Sequence, residues 1–287
     1  MIVDMQLAST STQRTYRYVR LGIIGAVFAI FVSLVAFGTT SGWPTSISAL
    51  YYTPANTVFV GALFAVSLGL LALSGHSIEQ AMLDLAAIVA PLIAIVPTAI
   101  GATDVPGFSP DCPADLPCVP EQYLPAIANG MVTFAIVGGA GVVLAIILAL
   151  VQRTISGGLL LAIAVAAAII LGMTLWWALD PASFVPSAHL VATTALLGFM
   201  ALASIAAASA SDAGPYRAVY AVIAILIVVT LLFILAVTLF HLGGVDLVEE
   251  TGAPLILIGE LIALGLFAMF WLAQTAQKWD EVNPSII

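Results

Sequence analysis

The chain has 287 residues, of which 62% are hydrophobic and 7% charged, with a mean hydropathy of +1.19. These proportions exclude a soluble globule and place the chain among integral membrane proteins. A formal charge of −9 with only six Lys and Arg excludes nucleic acid as a partner, because no basic patch is available to neutralise phosphates.

A membrane-spanning helix needs about 20 mostly apolar residues. The sequence predicts eight such helices, near 19–38, 56–74, 81–101, 127–151, 156–179, 186–210, 217–241 and 253–275. Barrel strands would appear as segments of about ten residues with alternating polarity, and the chain lacks that pattern. The expected fold is an all-α membrane bundle, a single polytopic domain over residues 1–287 with no internal repeat. A polar lead of about twenty residues precedes the first segment and no small-x-small cleavage site follows it, so it reads as a helix rather than a removable signal.

Lys and Arg of short loops stay on the cytoplasmic side. Arg14, Arg17 and Arg20 precede the first helix, Arg153 separates the fourth and fifth, Arg217 the sixth and seventh, and Lys278 follows the eighth. Eight spans with both termini cytoplasmic put all of them on one face of a plasma, or inner, membrane. The other face then gathers Asp104, Asp111, Asp115, Glu121, Asp180, Asp246, Glu249 and Glu250 with no Lys or Arg, while Asp4, Glu79, Asp84, Asp212, Asp280 and Glu281 lie with the bases. An acidic vestibule concentrates cations, although acidic loops also serve simply to keep an apolar protein's surface wet.

Within the second helix, Gly61, Ala65 and Gly69 recur at four-residue spacing, a stripe that lets a neighbouring helix approach closely, and GGAG at 138–141 reads the same way in the fourth. Pro91 and Pro97 are expected to kink the third helix and free carbonyls for Thr98, a neighbour or a cation. Cys112 and Cys118 share the 102–126 loop with six prolines, 106, 110, 113, 117, 120 and 125. On the extracytoplasmic side this spacing predicts a disulfide bracing an ordered lid; two thiols with no nearby His do not make a metal site.

The polar residues of the apolar segments carry the functional question. Glu260 interrupts LILIGELIALG, about 10 Å below the outer end of its helix. Ionisable groups at such depth are costly and mark pathways, relays or interhelical contacts. His189 and Thr193 share a face of the sixth helix, bordered by Asp180, while His241 ends the seventh helix and Thr98 the third. All fall in the outer third of the bundle. Ser46 and Ser48 either cap a short helix or reach toward Glu260, and Trp43, Tyr51, Tyr52, Trp176 and Trp177 suit an aromatic belt at the outer interface.

Three functions compete for this cluster. The leading one is movement of protons, small cations or small solutes past Glu260. The alternative is a structural or sensory subunit, in which Glu260 pairs with His189 and pins two helices while the bundle binds a partner membrane protein or a second copy of itself. The third is an intramembrane lipid hydrolase using His189, His241 and Asp180 or Glu260 on a metal-bound water. With three histidines, one of them His76 in a loop on the opposite side, and no HxxxH or HxxxD pattern of ceramidase-like hydrolases, the third is the weakest. The reading therefore favours a non-enzyme without cofactor or metal, in contact with membrane lipids.

One stretch carries a resemblance. GWPTSISALYYTPANTVFVGALF at 42–64, through Trp43, Pro44, Ser46, Ser48, Tyr51, Tyr52, Pro54 and Val58 to Gly61, resembles a segment of a widespread group of uncharacterised bacterial multi-helix membrane proteins. Weaker echoes lie in His189 and in Gly259 and Glu260. The resemblance covers about a fifth of the chain closely, implies a polytopic fold, and brings no activity with it. A basic residue that often follows the Pro in that group is replaced here by Ala55 and Asn56.

Overall fold

The computed structural model describes residues 2–73, 75, 77–113, 117–153, 155–212, 214–242 and 251–279, and within them all side chains but those of 2–10, 12, 241 and 242. His76, Asp115, Asp246, Glu249, Glu250, Asp280 and Glu281 lie outside the described residues, as do the side chains of Asp4 and His241.

Among the described residues the long elements are all helical: α1 (Ile2–Ser41), α2 (Asn56–Ala72), α3 (Ile78–Ile95), α4 (Leu124–Gln152), α5 (Gly157–Leu179), α6 (Pro181–Ala210), α7 (Pro215–Leu242) and α8 (Leu255–Gln277). Seven are long and apolar enough to cross a membrane, and α2, at 17 residues, is the short one. The chain is thus a polytopic helical bundle.

Local chemistry explains where the boundaries differ from the hydropathy reading. The third helix runs three residues earlier and ends well before 101. Ser77 and Gln80 form a reciprocal capping box that starts it, and Pro97 forces Val96 into an extended conformation that stops it. Asp180 accepts from Ser183 N at 3.1 Å, so α6 begins at Pro181 and simply absorbs Pro186. Pro91 removes the donor that Ala87 O would receive, and Ser67 of α2 supplies one instead at 2.7 Å.

Neighbouring helices close a ring, α1 to α2 to α3 to α6 to α7 to α8 and back to α1, with the α4 and α5 pair outside it against α3 and α6. The small-residue stripe is used at one point only. Gly69 sits where a Cβ would meet Ile23 of α1, whereas Gly61 faces open space. Gly259 brings α8 against Ile234 of α7, immediately beside Glu260.

The two ends of the ring differ. At one end Arg17 lies 4.4 Å from the Trp279 ring and donates to its carbonyl, Glu79 meets Gln274 and lies 3.7 Å from Lys278, and Tyr220 donates to Gln277 at 2.7 Å. At the other end Cys112 and Cys118 form the disulfide, and Cys118 pairs with Ile100 through backbone bonds of 2.9 and 3.0 Å.

Between α1 and α2 the chain enters the disulfide end of the ring instead of crossing its surface. Residues 46–53 are all buried, including the 3₁₀ turn Ser48–Tyr52. Tyr51 and Tyr52 are therefore core residues, a departure from the interfacial belt expected of them. They cluster with Tyr123 and Phe108 at centroid separations of 5.0 to 5.8 Å, and Tyr52 donates to Thr98 O at 2.6 Å. The disulfide loop thus lies over the entering segment.

Candidate functional site

A buried loop must find partners for its backbone groups, and this one takes them from α8 and from the disulfide loop. Thr45 N donates to Asp104 O at 3.1 Å, and Thr45 O accepts from Leu257 N at 3.0 Å, one of the free donors of the first turn of α8. One turn deeper, Glu260 Oε2 accepts from Ile47 N and, at 3.4 Å, from Ser48 N. Ser46 caps the turn by accepting from Ala49 N at 3.0 Å. The two serines therefore divide the roles considered for them: Ser46 caps, and Ser48 reaches the carboxylate.

Ser48 Oγ lies 2.7 Å from Glu260 Oε1 and 2.8 Å from His189 Nε2, while His189 Nδ1 lies 2.7 Å from Val96 O. Val96, Ser48 and His189 are buried, and Glu260 is partly so. The geometry restricts where protons sit. A carbonyl only accepts, so Nδ1 carries a hydrogen. Ser48 has one hydrogen and stands between two potential acceptors. With a single proton shared between Glu260 and Nε2, two assignments satisfy every contact. In one, Glu260 is protonated and donates to Ser48, which donates to neutral His189. In the other, cationic His189 donates to Ser48, which donates to the Glu260 carboxylate. They differ by a proton handed along the chain through the serine hydroxyl. With that proton removed, one of the two short contacts becomes acceptor against acceptor.

Beside this trio is a cavity of about 70 Å³. Every helix of the ring contributes to its wall, Ile30 from α1, Phe59 from α2, Ile93 from α3, Thr193 from α6, Ile234 from α7 and Glu260 from α8, so it lies on the ring axis. Ser48, Thr193 and Glu260 are among the residues around it, but the surface it presents is almost wholly hydrocarbon.

The remaining predicted residues are placed elsewhere. Asp180 is an exposed helix cap, nine positions or about 13 Å along α6 from His189. The Thr98 hydroxyl makes only a 3.4 Å contact with Ala99 O, and its part in the site is through its backbone carbonyl. Among the described residues no three His, Cys, Asp or Glu side chains converge as metal ligands would. Sequence reasoning missed the Val96 carbonyl and the Ile47 amide, since backbone groups have no signature of their own. Pro97 is the one signal that could have exposed Val96.

No protein-family model matches the chain, and no characterised protein or solved structure is significantly similar to it.

Proposed function

We propose that the chain is a plasma-membrane channel or transporter that moves protons, small cations or small solutes along the axis of the ring, with Glu260 as its working carboxylate. In this reading all eight helices cross, both termini are cytoplasmic, and the disulfide end faces outward. The positive-inside rule supports that orientation, since the described cations Arg17 and Lys278 sit at the opposite end from the disulfide. The entering segment 42–55 precedes the short α2, and irregular backbone of this kind is tolerated where protein surrounds it.

The observation that carries the reading is the Glu260, Ser48 and His189 chain beside a cavity that every ring helix lines. A helix clamp needs the hydrogen bonds but no axial cavity. Purified protein in liposomes tests it. Flux of H⁺, Na⁺ or K⁺, or of a small solute, that disappears in a Glu260→Gln variant of equal thermal stability supports it. The absence of any flux in the wild type removes it.

A second reading, acyl transfer by Ser48, draws on the 2.8 Å contact with His189, which its Nδ1 bond to Val96 orients as a general base is oriented. Against it, the Ile47 and Ser48 amides, the natural oxyanion donors, are engaged by Glu260, and a 70 Å³ cavity does not admit an acyl substrate. Covalent labelling of Ser48 by a fluorophosphonate would favour this reading over transport.

A further inference from the structure

A second concavity, a groove of about 450 Å³, lies between α6 and α7 on the outside of the ring. Its floor is made of small side chains, Ala208, Ala221 and Ala224, and its walls of exposed ones, Ile205, Ile225 and Val229. That exposure turns the groove toward lipid and away from the ring axis. From Arg217 to Val229 it follows α7 for twelve positions, about 18 Å at 1.5 Å per residue. One leaflet of hydrocarbon is about 15 Å deep, so the groove has the length of a single acyl chain lying along the helix.

Arg217 stands at one end of the groove. This is the end of the ring opposite the disulfide, since the neighbouring Tyr220 and Ser211 both bond Gln277 at the close of α8. Arg17 and Lys278 of the same end are engaged, by Trp279 and Glu79. Among the described residues Arg217 has neither an ion pair nor a hydrogen bond, and Asp212, the nearest acid along the chain, is exposed and leaves it unneutralised. The other polar side chain of the groove, Ser209, donates its hydrogen to Ile205 O at 2.8 Å, so Arg217 alone of the lining side chains has hydrogens to offer a ligand. A guanidinium presents them as a fork that matches a phosphate.

We propose that the groove is a phospholipid site, in which one acyl chain of an anionic glycerophospholipid lies between α6 and α7 and its phosphate meets Arg217 at headgroup level. Basic pockets between helices on the cytoplasmic side bind such headgroups, and the orientation proposed above puts Arg217 on that side. Two features separate this site from the film of lipid that coats any membrane helix. The alanine floor lets a chain sink between the helices and touch both, which adds dispersion contacts that a flat surface does not provide. The unneutralised guanidinium adds a preference for net negative charge, which an apolar groove alone lacks. The site lies apart from Glu260 and stands or falls independently of transport.

Native mass spectrometry of the purified chain, mixed in detergent with equal amounts of phosphatidylglycerol and phosphatidylcholine, tests the site. The wild type is expected to retain phosphatidylglycerol about tenfold over phosphatidylcholine, whose own ammonium neutralises its phosphate. Arg217→Gln is expected to abolish that preference, and Ala221→Leu, which fills the floor, to lower retention of both lipids, each at unchanged thermal stability. Arg153→Gln removes an exposed cation at the same end, at the close of α4, that does not line the groove, and is expected to change nothing. Equal retention of the two lipids by the wild type, or an equal loss in Arg153→Gln, overturns the proposal and leaves only the general lipid coat. Capture of glycerol phosphate as tightly as of the lipid makes it a free-phosphate site and overturns the acyl chain. A wild-type dimer that Ala221→Leu dissociates gives the groove to a second copy and overturns the lipid.

Discussion

The hydroxyl of Ser48 lies 2.7 Å from Glu260 Oε1, although 212 positions separate the two residues in the chain. The contact joins the segment between α1 and α2 to α8, and through His189 to α6. Replacing Ser48 by Ala leaves Nε2 of a buried His189 and an oxygen of Glu260 without their bridge. Such losses cost about 1–3 kcal/mol, so thermal unfolding of Ser48→Ala is expected at a clearly lower temperature. In a double-mutant cycle with His189→Ala the two effects are expected to overlap by at least about 0.5 kcal/mol. Strict additivity would mean that the three side chains do not act together.

Gly259 lets α8 lie against α7: a Cβ there would come within 2.6 Å of Ile234 and 3.4 Å of Phe233. Gly259→Val must push the helices apart or distort Ile234, and overpacking of this kind costs about 1–3 kcal/mol. Gly61→Val, on the open face of α2, is expected to have little effect. Thermal stabilities in one detergent compare the pair, and equal losses would contradict the packing assigned to α7 and α8.

The Cys112 to Cys118 bond closes a short loop, with the two Cα atoms 5.7 Å apart. Loop-closure entropy gives about 2 kcal/mol for a ring of this size, and its first beneficiary is the Ile100 to Cys118 pairing that keeps the lid over Tyr52. Reduction is expected to lower the unfolding temperature and expose the loop to protease. A membrane-impermeant thiol reagent added to intact cells after reduction also reads orientation. Labelling at both cysteines agrees with an outward disulfide end, and protection until lysis contradicts it.

Burial raises the Tyr51 and Tyr52 phenols above their usual value of 10.0, and neighbouring tyrosines add to the shift. An unfolded tyrosine loses its proton near about 10 while the folded one still holds it. Above that pH the native state binds more protons than the unfolded one, and stability falls as pH rises. The contribution is whole below about pH 10 and fades above it. Unfolding temperatures between about pH 9 and 11 should decline, less steeply in Tyr52→Phe. A flat profile would place the rings in water.

Much of the bundle is legible in the sequence because lipid leaves a strong mark. Long apolar runs give helices, and Glu260 stands out inside one of them. The entering segment is different. Residues 46–53 are buried, yet they are too few to span a membrane and too rich in Ser and Tyr to read as core, so hydropathy places them at the interface. Ser48 and His189 are recognisable as polar residues of similar depth, but their meeting depends on Val96, whose carbonyl is presented by the break at Pro97. Asp180 shows the opposite failure. An acid beside a helix start looks like part of a cluster until its cap to Ser183 is seen.

Ion flux in liposomes, wild type against Glu260→Gln, tests the central claim most directly. The account predicts flux in the wild type and its loss in the variant, with both proteins unfolding at similar temperatures. Identical behaviour of the two, or a variant that is less stable while neither carries any ion or solute, would contradict it and make Glu260 a clamp between α8 and the segment that carries Ser48.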